Sequence, residues 1–197
     1  MNVYDFDGTL YTGDSSLDYI LFCMGKRPAL LRFLPRFLWV GLRYRLGLCK
    51  KTEMKERFFS FLKVMPADES TVTGFWETHR KKLCSWYGEK HSPDDVILSA
   101  SPEFLLVPIG RRLGVSAVIG SRVDPRSGRF SGKNCHGTEK VRRWREAFGE
   151  LSPSCFFSDS LSDLPMADIA ERAVLVRNRR RRQNIFQPFP HKKSDPT

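Results

Sequence analysis

Two carboxylates one residue apart, Asp5 and Asp7, sit in the run Val3-Tyr4-Asp5-Phe6-Asp7-Gly8-Thr9-Leu10 near the start of the chain. The residues before them are apolar and β-prone, and the Gly-Thr after them resists continuing a strand, so the strand stops where the acids begin. At a strand end the two side chains straddle a bend, and both can point into the crevice where open α/β sheets hold ligands. Carboxylates packed this closely repel one another and need a cation. A hard, oxygen-seeking ion such as Mg²⁺ satisfies them, and a phosphate completes the charge balance.

Three later stretches carry groups that suit the same chemistry. In Leu98-Ser99-Ala100-Ser101-Pro102 a serine falls at a strand end, where its hydroxyl and the backbone N–H groups that follow could hold phosphate oxygens, or simply cap a helix. Lys140 lies near the start of a helix after Gly137, a position unfavourable for the helix dipole, which points to a compensating anion. In Phe156-Phe157-Ser158-Asp159-Ser160-Leu161-Ser162-Asp163 an apolar strand ends in an acid, and a second acid follows four residues on.

The elements that must position these groups alternate. After the loop 11–16, only helical patterns run from Leu17 to about Tyr87, broken at Gly25, Pro28, Gly47 and Pro66, which is too long for an ordinary crossover. Strands are then predicted at 95–99, 115–120, 154–158 and 173–176, with helices at 102–113, 138–148 and 164–170. Hairpin chemistry occupies 121–132. Alternating strands and helices imply a parallel, three-layer sheet. Beyond Arg177 the periodicity is lost, and a basic, Pro-containing flexible tail is expected.

At 197 residues, 41% hydrophobic and 28% charged, the chain is long and apolar enough for one sizeable core and a small extra module. Its five cysteines are scattered and lack the spacing of a zinc site, which suits reduced thiols in a cytoplasmic protein. A chain that opens on a core strand leaves no room for a signal peptide. The net charge of +11 is uneven: residues 24–63 hold eleven Lys/Arg against Glu53 and Glu56 (+9), residues 177–197 hold seven against Asp195 (+6), and the rest sums to −4. The presumed catalytic body is therefore mildly acidic, as a cation site would be.

Taken together and in order, these four stretches resemble the motifs of the haloacid dehalogenase (HAD) superfamily across nearly all of residues 1–176, most closely its subfamily IB of phosphoserine phosphatase-like enzymes with a helical cap after the first motif. The resemblance implies a Rossmann-like core (1–13 and 89–176), a helical cap (14–88) inserted after the first strand, and the tail 177–197. It implies Asp5 as the nucleophile that forms an aspartyl-phosphate and Asp7 as general acid, then base. It makes Thr9, Ser99, Ala100 and Ser101 phosphate binders and Lys140 the neutralising cation. Lys133 is a rival for that role but follows the hairpin rather than opening a helix. Mg²⁺ would be held by Asp5, Asp7, Asp159 and Asp163, with Asp163 on the metal water or on Lys140. The expected enzyme is a phosphatase acting on a small phosphomonoester of the phosphoserine type.

Asp14 lies where such enzymes meet a substrate ammonium, and Arg57 where a cap arginine meets its carboxylate; an N-cap and a solvated helix face are the plain alternatives. The Ser99-Ala100-Ser101-Pro102 turn departs from the usual Ser-Gly-Gly-Phe and resembles instead the lipid-phosphate members of the subfamily, so a phosphatidylglycerophosphate-like substrate is the alternative. Between 29 and 46, Arg32, Arg36 and Arg43 share one helical side with Leu30, Leu34, Phe37, Leu38 and Gly41 opposite. That pattern fits an ordinary packed helix, or one lying on the anionic inner face of a membrane. The run Arg177-Asn178-Arg179-Arg180-Arg181-Arg182 lacks interleaved aromatics, so nucleic acid is not an expected partner.

Overall fold

Alternation of side chains along short apolar strands builds the centre of the molecule. Val3, Val96, Leu98 and Phe156 bury into one hydrophobic cluster, while their neighbours Tyr4, Ile97, Cys155 and Phe157 bury into another on the opposite face. The computed structural model describes residues 1–178 and 184–190. Its strands are β1 (Asn2–Tyr4), β2 (Val96–Pro102), β3 (Ala117–Ser121), β4 (Cys155–Ser158), β5 (Arg172–Asn178) and β6 (Asn184–Pro188), in the sheet order β3-β2-β1-β4-β5-β6. All neighbouring pairs are parallel except β5 with β6. The chain turns to opposite sides of β1 at β2 and β4, which opens a crevice at the carboxyl ends of these strands.

The helices are α1 (Ser15–Lys26), α2 (Leu34–Arg45), α3 (Lys51–Phe59), α4 (Glu69–His79), α5 (Trp86–Lys90), α6 (Glu103–Leu113), α7 (Thr138–Phe148) and α8 (Leu164–Ile169). The first five separate β1 from β2, and their buried residues share a cluster with α6; α7 and α8 cover the other face through Trp144, Met166 and Ala167. Helical packing on the first face is aromatic: Trp76 meets Phe6 and Tyr11 edge-on, and its indole N–H donates to the Leu105 carbonyl at 2.8 Å. Among the described residues no helix is long and apolar enough to cross a membrane.

The predicted α/β alternation is present, with four local differences. The helix expected at 29–46 is broken into a 3-10 segment, Pro28–Phe33, and α2, because Pro28 and Pro35 each start a turn rather than continue one. β2 runs past Ser99 to Pro102, with an irregular register against β3 from Leu98 onward. Between β3 and α7 the expected hairpin forms around the bridge Val123↔Phe130, with the Asp124 N–H donating to the Arg129 carbonyl and the Ser131 N–H to the Arg122 carbonyl, both at 2.8 Å, but it does not stand free. It straps onto the helices: Phe130 N–H donates to Glu56 Oε1 at 2.9 Å and Ala67 N–H to the Pro125 carbonyl at 2.8 Å. Lastly, β5 extends to Asn178, and residues 184–188, expected to be tail, form the antiparallel edge strand. Phe186 packs on Trp86 at 5.1 Å and Phe189 is buried, anchors hidden in a basic stretch. Arg179–Arg182 lie outside the described residues.

Candidate active site

The end of β1 places the acids. The Asp5 N–H still donates to the Phe157 carbonyl of β4 at 2.8 Å, holding this residue in line with the strand. Then the chain bends, with N–H groups of Leu10 and Tyr11 turning back to the Phe6 carbonyl at 2.9 Å. Gly8 adopts a left-handed φ of 74°, and a Cβ there would stand 2.0 Å from Asp159 Oδ2. Only glycine allows Asp159, at the end of β4, to approach the first loop so closely.

Asp5 Oδ1 lies 2.9 Å from Lys140 Nζ, which lies 2.6 Å from Asp163 Oδ2, itself an acceptor from Ser158 Oγ at 2.8 Å. Lys140 reaches in from the first turn of α7 and is fully buried. Burial alone would lower its pKa, but Asp5 and Asp163 outweigh it and hold it above the usual lysine range. Burial raises Asp5, with Lys140 opposing. Lys133, the alternative lysine, is exposed.

Asp7 belongs to a different set of partners. Its Oδ1 accepts from the Ser15 N–H at 2.8 Å, and its Oδ2 accepts from Ser101 Oγ. Ser101 Oγ also stands 3.2 Å from Ser15 Oγ and 2.9 Å from Ser16 Oγ, all three residues being buried. The Asp7 carboxyl is pushed up to about 7, by burial first and then by Asp14, with the serine hydrogen bonds opposing. A carboxyl poised there exchanges protons readily near neutral pH.

Thr9 is fully buried and its hydroxyl has no hydrogen-bond partner among the described residues, while Ser99 Oγ, also buried, accepts from the Ser101 N–H at 3.3 Å. A buried hydroxyl without a partner costs stability unless a ligand supplies one. Asp159 opens toward solvent, yet its carboxyl is pushed up to about 6 by the protein around it and then by the charge on Asp5. No side chain among the described residues pairs with it.

An all-oxygen set of this kind suits a hard divalent cation. Among the described residues no three His, Cys, Asp or Glu side chains form a ready-made metal cage. Mg²⁺ takes one or two carboxylates and completes its shell with waters and phosphate oxygens. Asp163, expected on the metal, on its water or on Lys140, bonds Lys140 and Ser158.

Asp14 and Arg57 part company. Asp14 caps α1, its Oδ1 accepting from the Leu17 N–H at 2.9 Å, and remains close enough to raise Asp7. Arg57 faces solvent, 3.8 Å from Glu53. Two turns of α3 put Lys51 and Lys55 toward the crevice instead: Lys55 Nζ donates to the Ala100 carbonyl at 2.9 Å, and burial lowers both lysines. His136 lies beside them, lowered by burial and then by Lys51. Lys51, Lys55, His136, Ser15 and Ser16 were not among the expected site residues. The four-residue spacing of the two lysines was the one available signal, since it puts both on a single helix face.

The model of the family described as haloacid dehalogenase-like hydrolase matches residues 3–168. The chain belongs to that family. Protein CicA of Caulobacter vibrioides is 30% identical to this HAD hydrolase over 185 residues, 85% of this chain and 82% of that one. The crystal structure of a protein with unknown function from Bordetella pertussis superposes with a TM-score of 0.72 at 20% identity, covering 89% of this chain and 88% of that one. A phosphoserine phosphohydrolase-like protein from Francisella tularensis has a TM-score of 0.54 at 16% identity, covering 88% and 85%. At such identities the two structures speak for the HAD fold: a Rossmann-like, mostly parallel sheet between helical layers.

Proposed function

We propose that this HAD hydrolase is a Mg²⁺-dependent phosphatase that cleaves a small phosphomonoester through an aspartyl-phosphate on Asp5. The observation that carries the reading is the split environment of the two acids. Asp5 is bonded at 2.9 Å to the buried Lys140, whose charge opposes the upward pull of burial on its carboxyl, whereas Asp7 has serine partners in place of a cation and a carboxyl near neutrality. One acid is set up to attack and the other to move a proton.

With Oδ1 of Asp5 held by Lys140, Oδ2 attacks phosphorus, and the bond from phosphorus to the leaving oxygen breaks. Asp7 protonates that oxygen. Asp7 then takes a proton from water, which attacks phosphorus and breaks its bond to Asp5, releasing phosphate. Thr9, Ser99 and the backbone after Ala100 and Ser101 would hold the phosphoryl oxygens, and Lys140 balances the charge of Asp5 and phosphate. Mg²⁺, held by the Asp5 and Asp159 carboxylates and the Asp7 carbonyl, would neutralise the remaining phosphoryl charge. Asp163 positions Lys140 from behind.

Helices 14–88 serve as the cap that covers the crevice and excludes water, with Asp14 at its entrance. The cation facing the crevice from the cap is Lys55, supported by Lys51, rather than Arg57. A substrate of the phosphoserine type would therefore place its carboxylate near these lysines. A lipid phosphomonoester is the second reading, favoured by the leucine-rich outer face of α1 and α2, which starts beside the crevice.

The test is phosphate release from phosphoserine, other water-soluble phosphomonoesters and a lipid phosphomonoester in mixed micelles, with Mg²⁺ and with EDTA. Asp5→Asn should abolish Mg²⁺-dependent release while leaving the circular dichroism spectrum unchanged. Full turnover by Asp5→Asn would remove the proposed nucleophile.

A further inference from the structure

Between Asp18 and Glu53 the chain has no acidic residue but eight Lys/Arg. The same stretch carries most of the large apolar side chains that are exposed among the described residues. Helical spacing aligns Leu17 with Leu21 on α1, and Leu34 with Leu38 and Leu42 on α2, all facing solvent; Leu21 is 54%, Leu38 67% and Trp39 63% exposed. Of residues 28–48 only Leu30, Phe37 and Val40 are buried. Core packing thus accounts for one side of α2 and leaves the other open. Between the two helices runs an apolar groove of about 540 Å³, with Phe58 of α3 and Arg45 also in its lining. Single exposed leucines are ordinary, but a contiguous apolar patch ringed by charge marks an interaction surface. The exposed cations of this stretch are Lys26, Arg27, Arg32, Arg36, Arg45 and Lys50, with Arg45 lining the groove itself.

We propose that this face docks on an anionic lipid bilayer, with α1 and α2 in the headgroup plane and their leucines and Trp39 in the acyl boundary. Charge selects the bilayer over a second copy of the chain. A two-fold contact through this patch would set the same cations against one another, with no acid in the stretch to answer them. Anionic headgroups answer them all. Trp39 and Tyr44 have the apolar ring and polar edge that suit headgroup depth, and basic residues around an apolar helix face are the composition of interfacial helices. The surface begins at Leu17, two residues from Ser15, whose N–H donates to Asp7 at 2.8 Å, so docking holds the crevice beside the lipid surface. It rests on residues that take no part in the chemistry assigned to Asp5 and Asp7.

Cosedimentation of the full chain with vesicles of phosphatidylcholine, alone or mixed with phosphatidylglycerol, tests the surface. Binding is expected to the mixed vesicles only and to weaken with added salt. Arg32→Gln, Arg36→Gln and Arg45→Gln together should lower partitioning about a hundredfold, at roughly fivefold for each cation. Trp39→Ser with Leu38→Ser should lower it further and at any salt concentration, while either set keeps hydrolysis of a water-soluble phosphomonoester, which reports the fold. Equal binding to both vesicles, or binding that ignores all five substitutions, overturns the proposal. So does a dimer in sedimentation equilibrium that Trp39→Ser dissolves, because the face would then belong to a second copy. Vesicle binding by a wild-type chain that hydrolyses no phosphomonoester sustains the surface and overturns only the reading of the site.

Discussion

Replacing Lys140 by Met should cost far more than breaking an exposed ion pair such as Arg57–Glu53, for the following physical reason. Lys140 is nearly without solvent contact, bonded at 2.9 Å to Asp5 and at 2.6 Å to Asp163, whose side chain is also buried. Met fills the volume but leaves two carboxylates without their cation. Breaking a buried pair this way costs about 3–5 kcal/mol, a large share of the roughly 5–15 kcal/mol that holds a domain together. The half-exposed pair Arg57–Glu53, 3.8 Å apart, sets the scale at the other end, at no more than about 0.5 kcal/mol. Urea unfolding in EDTA, which keeps bound metal out of the comparison, should read both values. The double variant Lys140→Met/Asp163→Asn should be less destabilised than the sum of the single variants by about 1–3 kcal/mol, since the pair is lost only once. Turnover should fall roughly 10²–10³-fold in Lys140→Met and less in Asp163→Asn, which acts only through the lysine. A Lys140→Met protein within about 1 kcal/mol of wild type would refute the premise that this lysine balances buried charge.

Three further substitutions probe the turns and caps that place the site. Gly8→Ala demands a left-handed φ of 74° and drives a methyl onto Asp159; the strain is about 1–2 kcal/mol, and Mg²⁺ titration of turnover should show a raised metal requirement. Gly128→Ala would set its Cβ 2.1 Å from the Phe59 carbonyl oxygen, at a φ of 73°, so the strap must lift from α3; a loss of at least about 1–3 kcal/mol in thermal unfolding is expected. Asp68→Ala removes the N-cap of α4, where Asp68 Oδ1 accepts from the Thr71 N–H at 2.7 Å, and should cost about 1 kcal/mol at neutral pH. The Thr71 and Ser70 hydrogen bonds hold the Asp68 carboxyl below its ordinary value, so its contribution is present above the unfolded pKa and fades as pH falls through the folded one. The gap between Asp68→Ala and wild type should therefore close in acid.

The chemistry-bearing strand ends were legible in the sequence because they need only local order. Asp5, Asp7 and Asp159 follow short apolar runs that bury between two helical layers, and a polar residue after such a run must lie at the sheet's carboxyl edge. Alternating periods of two and 3.6 likewise specified five parallel strands without reference to contacts. What tertiary structure decided was which residues face the crevice from distant parts of the chain. Lys55 and not Arg57 points inward, because α3 is oriented by Phe59 in the core and by the strap bond from Phe130 to Glu56, neither of which a helical pattern encodes. The serine trio around Asp7 joins residues 15, 16 and 101, more than eighty positions apart. Edge strand β6 was hidden for a related reason: a basic segment becomes a strand only where a neighbour, here β5, offers its open hydrogen-bonding edge. Local sequence set the kinds of groups and the strand ends that carry them; the packing of helices on the sheet chose their partners, a buried lysine for Asp5 and serines for Asp7.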